Sequence, residues 1–239
     1  MANGSACTTM PGMTVPNAAS TGKNMSAVPH AASPGKNTSA GLTHRLATYC
    51  EALARALRRY RREDGKVLVL GGVRSGKSRH AERLVAHHPH LVYVAPGLPP
   101  SEDDPDWAAR VAAHKARRPA HWTTVETTDL ATVLRTATGP LLIDCLGTWL
   151  SRVLDEVGAW RQKPGWERRL DDRLEDFLAA WTQARVPVVA VSNEVGSGVV
   201  PATSSGRLFR DVLGALNNRV SAESDRVSLV VAGRVLDLP

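Results

Sequence analysis

The stretch VLVLGGVRSGKSRHAERL, residues 67–84, decides the fold of this 239-residue chain. Four apolar residues at 67–70 are typical of a buried strand, and a segment of helical character begins at Gly76. Between them, residues 71–78 match the phosphate-binding pattern G-x-x-x-x-G-K-[ST]. Because both flanking elements are of the kind that the pattern requires, a chance glycine-rich turn is the weaker interpretation.

The residue types in this loop indicate what it binds. Glycines let backbone N–H groups turn inward around phosphate oxygens, and the N-terminus of the following helix adds a partial positive charge. Lys77 would neutralise the β and γ phosphates of a nucleotide, and the Ser78 hydroxyl would bind Mg²⁺. The predicted nucleotide-binding residues of the loop are Gly71, Gly72, Val73, Arg74, Ser75, Gly76, Lys77 and Ser78.

A second candidate metal ligand follows another apolar run. Asp144 comes directly after Leu141-Leu142-Ile143, which places a carboxylate at the carboxyl edge of the predicted sheet. There it can bind Mg²⁺ together with Ser78. The alternative is an Asp that only caps the next helix. These residues predict a phosphate-loop nucleotide-binding enzyme and leave kinase, NTPase and nucleotidyltransferase open.

The rest of the chain alternates short apolar runs with segments of helical length. This pattern predicts an α/β P-loop NTPase (RecA-like) fold of three layers with a mostly parallel central sheet. Strands are predicted at 66–70, 91–95, 140–145, 186–192 and 227–232, with a weaker one at 122–126. Helices are predicted to begin at Gly76, Asp106, Asp129, Gly147, Trp166 and Ser205.

Composition limits the possible functions. The three cysteines, at 7, 50 and 145, support neither a disulfide framework nor a zinc site, and no stretch is apolar enough to span a membrane. A cytoplasmic protein is expected. The net charge is +7, but residues 1–64 carry +5 of it, so the remainder is nearly neutral and gives little reason to expect a nucleic-acid partner.

The N-terminal region differs in composition from the rest. Residues 1–42 are rich in small and polar residues and contain no acidic residue, so we expect a disordered extension, dispensable or upstream of the true start. Residues 43–64 have the spacing of a basic amphipathic helix. Its arginine-rich face is expected to be solvated, with contact to an acidic surface or membrane as the alternative. The catalytic domain is then predicted at 65–239.

His114 is the candidate nucleophile. It falls late in a predicted helix, and Lys115, Arg117 and Arg118 follow before Pro119 ends that helix. A neutral imidazole can attack phosphorus, and neighbouring cations would favour its neutral form and stabilise the charge on the attacked phosphate. By itself, a histidine beside arginines is more often an ordinary surface residue.

A family resemblance adds to this interpretation. The blocks that carry it, in chain order, are VLGGVRSGKSRHAERL, VYVA, RVAAHKARRPAHWTTVE, LLIDCLGTWLSRVL, VVAVSNEVGSGVVP and GRLFRDVLGALNNRVSAESDRVSLVVAGR. Together they resemble the bifunctional adenosylcobinamide kinase / adenosylcobinamide-phosphate guanylyltransferase family of cobalamin biosynthesis, over residues 66–236. The arginine and glutamate after the phosphate loop, Arg79 and Glu82, are among the family-specific positions.

The resemblance implies two reactions. ATP or GTP phosphorylates the aminopropanol hydroxyl of adenosylcobinamide, and GMP is then transferred from GTP to that phosphate through a guanylylated histidine, with release of pyrophosphate. His114 matches that histidine, and His121 matches a structural or supporting position. The resemblance also implies Mg²⁺, a homotrimer, and nucleotide contacts at Ala95, Pro96, Gly97, Lys115, Ala116, Arg117, Arg118, Glu126 and Asp144.

Other positions leave alternatives open. Asn193 and Glu194 are either corrinoid-side or catalytic groups, or residues that stabilise a turn. Pro96 and Gly97 stand where the family usually has polar residues, so nucleotide contacts there must come from the backbone or be absent. Gly147 and Arg152 stand where relatives tend to have Thr and Asn.

The alternative function is a single-activity P-loop kinase or NTPase without a covalent intermediate. A third possibility, a non-catalytic protein that binds nucleic acid or membrane through the basic N-terminal region, predicts that removal of residues 1–64 abolishes binding.

Overall fold

A computed structural model of the chain describes residues 65–100 and 103–239. The predicted extension at 1–42 and helix at 43–64 lie outside the described residues and stay predictions, as does the homotrimer. In chain order the described elements are β1 (Lys66–Gly71), α1 (Lys77–Val85), β2 (Val92–Ala95), α2 (Pro105–Arg117), β3 (Thr123–Glu126), α3 (Leu130–Thr136), β4 (Leu141–Asp144), α4 (Leu146–Val157), a 3₁₀ turn (Ala159–Arg161), α5 (Trp166–Gln183), β5 (Val188–Asn193), α6 (Ser204–Ala222), β6 (Arg226–Val231) and β7 (Arg234–Leu238).

The strands form one sheet in the order β3-β2-β4-β5-β1-β6-β7. All neighbouring pairs are parallel except β6 and β7, which pair antiparallel. The predicted mostly parallel α/β fold is therefore confirmed. The phosphate loop follows β1 and Asp144 ends β4, so both lie at the carboxyl edge of the sheet, where ligands of such folds bind.

The core forms on both faces of the sheet because successive side chains of a strand point to opposite sides. Leu68 and Leu70 of β1 pack in the cluster that includes helices α3 to α6. Val67 and Val69 pack in a second cluster with Ala81 of α1. Helix α2 contributes no buried residue. This arrangement gives the three predicted layers and leaves α2 beside the carboxyl edge of the sheet.

The last strand, β7, was not predicted. Every residue of β7 is exposed, so it lacks the apolar signal of a core strand. The turn before it is made by Ala232 (φ 47°) and Gly233 (φ 77°), two positive-φ residues that suit a tight hairpin. The prediction that Ala232 belongs to the preceding strand was therefore wrong, because that residue lies in the hairpin turn.

No helix in the described ranges is both long and apolar enough to cross a bilayer.

Candidate active site

A cavity of about 840 Å³ lies at the carboxyl edge of the sheet. It brings together most of the predicted site residues, from five separate parts of the sequence. Those that line it are Val73, Arg74, Ser75, Gly76, Lys77, Ser78, Ala95, Gly97, His114, Lys115, Arg117, Arg118, Glu126 and Asp144. Gly71, Gly72, Pro96 and Ala116 do not line it, and neither does His121, which is exposed elsewhere.

The phosphate loop has the conformation that its sequence predicts. Gly76 precedes α1 with φ at 96°, a conformation that side-chain-bearing residues rarely adopt. The Lys77 ammonium donates to the Gly72 carbonyl across the loop at 3.1 Å. Gly233, in the unpredicted hairpin, donates its N–H to the Ser75 carbonyl at 2.9 Å. The β6–β7 turn thus contacts the phosphate loop and stabilises it.

Asp144 is the centre of a hydrogen-bonded cluster, with a side chain only 7% exposed. Its Oδ1 accepts from the Ser78 hydroxyl at 3.2 Å and its Oδ2 from the Tyr93 hydroxyl at 2.7 Å, while His114 Nδ1 lies 3.3 Å from Oδ2. Burial by itself would raise the pKa of Asp144, but the contacts with His114, Tyr93 and Ser78 hold that pKa below its ordinary value. Asp144 is therefore an ionised carboxylate at neutral pH.

His114 lies in the last turn of α2, and its side chain is 32% exposed. Its Nδ1 faces Asp144, and a carboxylate in that position fixes the tautomer that carries the proton on Nδ1. Nε2 is then the nitrogen with a lone pair for attack on phosphorus. The sequence suggested that cations surround this imidazole, whereas the structure pairs it with an anion, which stabilises the imidazolium that forms on attack.

Tyr93 is a site residue that the sequence did not reveal, because a tyrosine inside an apolar strand is typical of a core residue. Burial, and next the charge of Asp144, raise the pKa of its hydroxyl, so the group stays protonated and donates to the carboxylate. The Arg118 guanidinium lies 3.5 Å above the centre of the Tyr93 ring and also donates to the Thr124 hydroxyl at 3.4 Å. Arg118 thereby covers the tyrosine.

The other cations after His114 also have partners within the chain. Lys115 Nζ lies 3.1 Å from Glu126 Oε1, and both side chains are half exposed. Arg117 binds Glu82 of α1 through two nitrogens, at 3.1 and 3.4 Å. In the unbound chain Lys115 and Arg117 are therefore paired with glutamates, and their contact with an attacked phosphate stays a prediction. A nucleotide would have to compete with the two glutamates.

The loop after β2 is held by donors that the sequence did not connect to it. Arg152 Nη1, from α4, donates to the carbonyls of Pro96 and Gly97 at 3.4 and 3.1 Å. The Trp107 indole N–H donates to the Leu98 carbonyl at 2.9 Å. Two departures from the family pattern, at 96–97 and at 152, are therefore in direct contact, and the arginine stabilises the segment 96–100, which has no polar side chains of its own.

We predict that Arg152→Met raises the KM for GTP about fivefold to tenfold and changes kcat less than twofold. The variant loses donors to two carbonyls, and each such hydrogen bond contributes on the order of 1 kcal/mol. Steady-state kinetics with varied GTP checks this, with Arg161→Met as the control, because Arg161 is exposed outside the cavity. An unchanged KM would show that the loop does not depend on Arg152.

Asn193 and Glu194, for which two roles were open, differ in position. Asn193 lines the cavity, and its Oδ1 would lie only 2.8 Å from a Cβ at position 147, so a larger residue there would require the Asn193 side chain to shift. Glu194 Oε1 accepts from the N–H groups of Gly196 and Ser197 at 2.6 and 3.2 Å. Glu194 does not line the cavity. The geometry favours the turn-stabilising role for Glu194 and leaves Asn193 as a cavity residue.

The residues fit the Mg²⁺ ion that phosphate-loop chemistry requires. The Ser78 hydroxyl and Asp144 Oδ1 lie 3.2 Å apart and are hard oxygen ligands. Within residues 65–100 and 103–239, no cluster of three or more His, Cys, Asp and Glu side chains could hold a metal. Such a partial set suits Mg²⁺, which completes its coordination with nucleotide phosphates and water.

We predict that Asp144→Asn slows covalent labelling by GTP and phosphoryl transfer by about a hundredfold. The amide removes the anion that orients His114 and weakens binding of the metal. Rates measured over a series of Mg²⁺ concentrations check this. Asp155→Asn, on the exposed face of α4, is the matched control. Rates within threefold of wild type for the first variant would exclude a role for Asp144.

Known proteins match most of the described chain. The family model for cobinamide kinase / cobinamide phosphate guanyltransferase matches residues 67–238. The bifunctional adenosylcobalamin biosynthesis protein CobU of Salmonella typhimurium is 39% identical over 176 residues, 70% of this chain and 96% of that protein. CobU of Escherichia coli is 35% identical with the same coverage. CobP of Pseudomonas aeruginosa is 39% identical over 178 residues, 72% of this chain and 95% of that protein.

One solved structure aligns more loosely. An ATPase from the type III secretion system of pathogenic bacteria has a TM-score of 0.44 and 13% sequence identity. The alignment covers 69% of this chain and 50% of that ATPase, so this chain spans about half of its length.

Proposed function

The chain belongs to the cobinamide kinase / cobinamide phosphate guanyltransferase family, and we propose that it carries out both reactions at one cavity, with His114 carrying the guanylyl group. The protein phosphorylates adenosylcobinamide and then converts the phosphate to adenosylcobinamide-GDP, a step of cobalamin biosynthesis. ATP or GTP serves the first reaction and GTP the second. Both products carry phosphate groups that a single cationic cavity can accept.

One observation carries the proposal for His114. Ser78 of the phosphate loop, Asp144 and His114 form one connected chain of polar contacts, of 3.2 and 3.3 Å. A nucleotide whose β and γ phosphates occupy the loop therefore has its α-phosphate near the same carboxylate that orients the imidazole. A surface histidine would have no reason to be tied to the loop in this way.

For phosphoryl transfer, the chain's own groups bind and orient the nucleotide. The loop N–H groups and Lys77 stabilise negative charge on the β and γ phosphates, as the positive N-terminus of α1 does. The oxygen of the adenosylcobinamide hydroxyl bonds to the terminal phosphorus, the bond to the nucleoside diphosphate breaks, and the hydroxyl proton passes to water. Bound Mg²⁺, held by Ser78 and Asp144, would supply further neutralisation of phosphate charge.

For guanylyl transfer, Nε2 of His114 forms a bond to the α-phosphorus of GTP, and the bond to pyrophosphate breaks. The imidazole gains positive charge while its Nδ1 proton stays toward Asp144, which stabilises that charge. An oxygen of adenosylcobinamide phosphate then bonds to the same phosphorus. The N–P bond breaks, and its electron pair returns to Nε2, which regenerates the enzyme.

A single-activity P-loop kinase or NTPase is the alternative, and a product assay separates the two. Adenosylcobinamide, ATP, GTP and Mg²⁺ are incubated with the enzyme, and the corrinoid products are resolved by chromatography and mass. We expect adenosylcobinamide phosphate with ATP alone, and adenosylcobinamide-GDP with pyrophosphate when GTP is present. Formation of the phosphate without any GDP product under the second condition would favour the alternative.

A further inference from the structure

Three arginines on facing helices line the cavity outside the phosphate loop. Arg79 and Arg83 come from α1, and their spacing of four residues puts them on one face of that helix. Arg110 comes from α2, four residues before His114, so it shares a face with the proposed nucleophile. None of the three belongs to the phosphate-loop motif.

The contact between Glu82 and Arg117 holds these two faces toward each other. Glu82 follows Arg79 by three residues on α1, and Arg117 follows Arg110 by seven residues on α2, so each pair lies on one helix face. The two side chains meet at 3.1 and 3.4 Å, and Glu82 is only 13% exposed. Both helices thus contribute arginines to one cavity, which His114 also lines.

The described residues leave the positive charge of these three arginines without an ion pair. Within residues 65–100 and 103–239, no carboxylate lies within ion-pair distance of Arg79, Arg83 or Arg110. By contrast, Lys115 and Arg117 nearby are both paired with glutamates. Like charges brought together repel one another, so an unneutralised cluster in a cavity is suited to bind an anion.

Guanylyl transfer brings a second anion, the phosphate of the acceptor, to His114. The attacking phosphate of the acceptor must approach a phosphorus that already carries negative oxygens, and cations that are free of the triphosphate reduce this repulsion. Arginine, with its planar set of N–H donors, suits phosphate recognition.

We propose that Arg79, Arg83 and Arg110 form a second anion site that binds the phosphomonoester of the acceptor and directs its oxygen to guanylyl-His114. This inference rests on the proposed function. In the step, the acceptor oxygen bonds to the guanylyl phosphorus, the N–P bond breaks, and the electron pair stays on Nε2 of the histidine. The site thus separates acceptor binding from nucleotide binding within one cavity.

The test measures the two half-reactions separately in the full chain. Enzyme is labelled with GTP and Mg²⁺, freed of nucleotide, and then mixed with adenosylcobinamide phosphate. For Arg110→Gln and Arg83→Gln we expect labelling within twofold of wild type, and transfer to the acceptor slowed about tenfold to a hundredfold, with a raised KM for the acceptor. Arg110→Lys should recover part of the transfer rate, since it keeps the charge.

Arg161→Gln is the matched control, because it removes an exposed arginine that does not line the cavity. Thermal unfolding of each variant checks that the fold is intact. If the Arg110 and Arg83 variants slow labelling as much as transfer, the arginines serve GTP and the inference is wrong. Unchanged transfer in both variants would also overturn it. A wild-type enzyme that takes no label contradicts guanylyl-His114 itself, and with it the inference.

Discussion

His114→Ala is expected to take up no guanylyl group from GTP and to lose guanylyl transfer by a factor on the order of a thousand or more, since it lacks the nucleophile. Phosphorylation of adenosylcobinamide should continue, because the phosphate loop is intact. Radiolabelled GTP, followed by gel separation, measures the covalent product. The label should be lost in acid and kept in base, as for a bond between phosphorus and an imidazole nitrogen.

Two further variants make this result specific. His121→Ala removes a nearby histidine that is exposed and does not line the cavity, and it should label like wild type. His114→Asn keeps an N–H group that can face Asp144, so it tests whether loss of labelling reflects the nucleophile or a disturbed carboxylate. Retained label in His114→Ala would exclude this residue as the nucleophile.

Lys77→Met is the second large effect, and unlike His114→Ala it should reduce both reactions. The methionine keeps much of the volume of the side chain but removes the charge that stabilises the β and γ phosphates. We expect phosphoryl transfer to fall by about a hundredfold to a thousandfold, and covalent labelling by GTP to fall as well. Single-turnover rates with saturating nucleotide separate this effect from weaker binding.

Lys163→Met is the control for Lys77→Met, because Lys163 is exposed and does not line the cavity. Lys77→Arg tests whether a positive charge alone is sufficient for phosphoryl transfer. Because the guanidinium has a fixed planar shape, we expect only partial recovery of the rate. If Lys77→Met reduces phosphoryl transfer but leaves labelling unchanged, then GTP is not held by the phosphate loop during guanylyl transfer, and the single-cavity proposal is wrong.

Much of the fold was predictable because its signals are local. The apolar runs at β1, β4 and β5 are buried on both faces of the sheet and form continuous hydrophobic segments in the sequence. All six predicted strands are present, with ends shifted by one or two residues. The phosphate loop was predictable for the same reason, since strand, loop and helix adjoin in sequence. β7 was not, because an exposed edge strand has no apolar pattern.

The contacts around the site were less predictable because they join residues far apart in sequence. The sequence identified Asp144 and His114 as candidates, but not that they would touch, because that depends on where α2 lies relative to β4. Tyr93 looked like a core residue. Arg152 and the loop at 96–97 were noted separately as departures, and only the hydrogen bonds from Arg152 to the Pro96 and Gly97 carbonyls show that one supports the other.

Intact-mass measurement of the wild-type protein after exposure to GTP and Mg²⁺ tests the guanylyl-histidine most directly. The predicted result is a mass increase equal to one GMP, reversed by adenosylcobinamide phosphate and located by peptide fragmentation on His114. An unchanged mass, under conditions in which the same sample forms adenosylcobinamide-GDP, would contradict the covalent intermediate and indicate direct transfer from GTP to the acceptor.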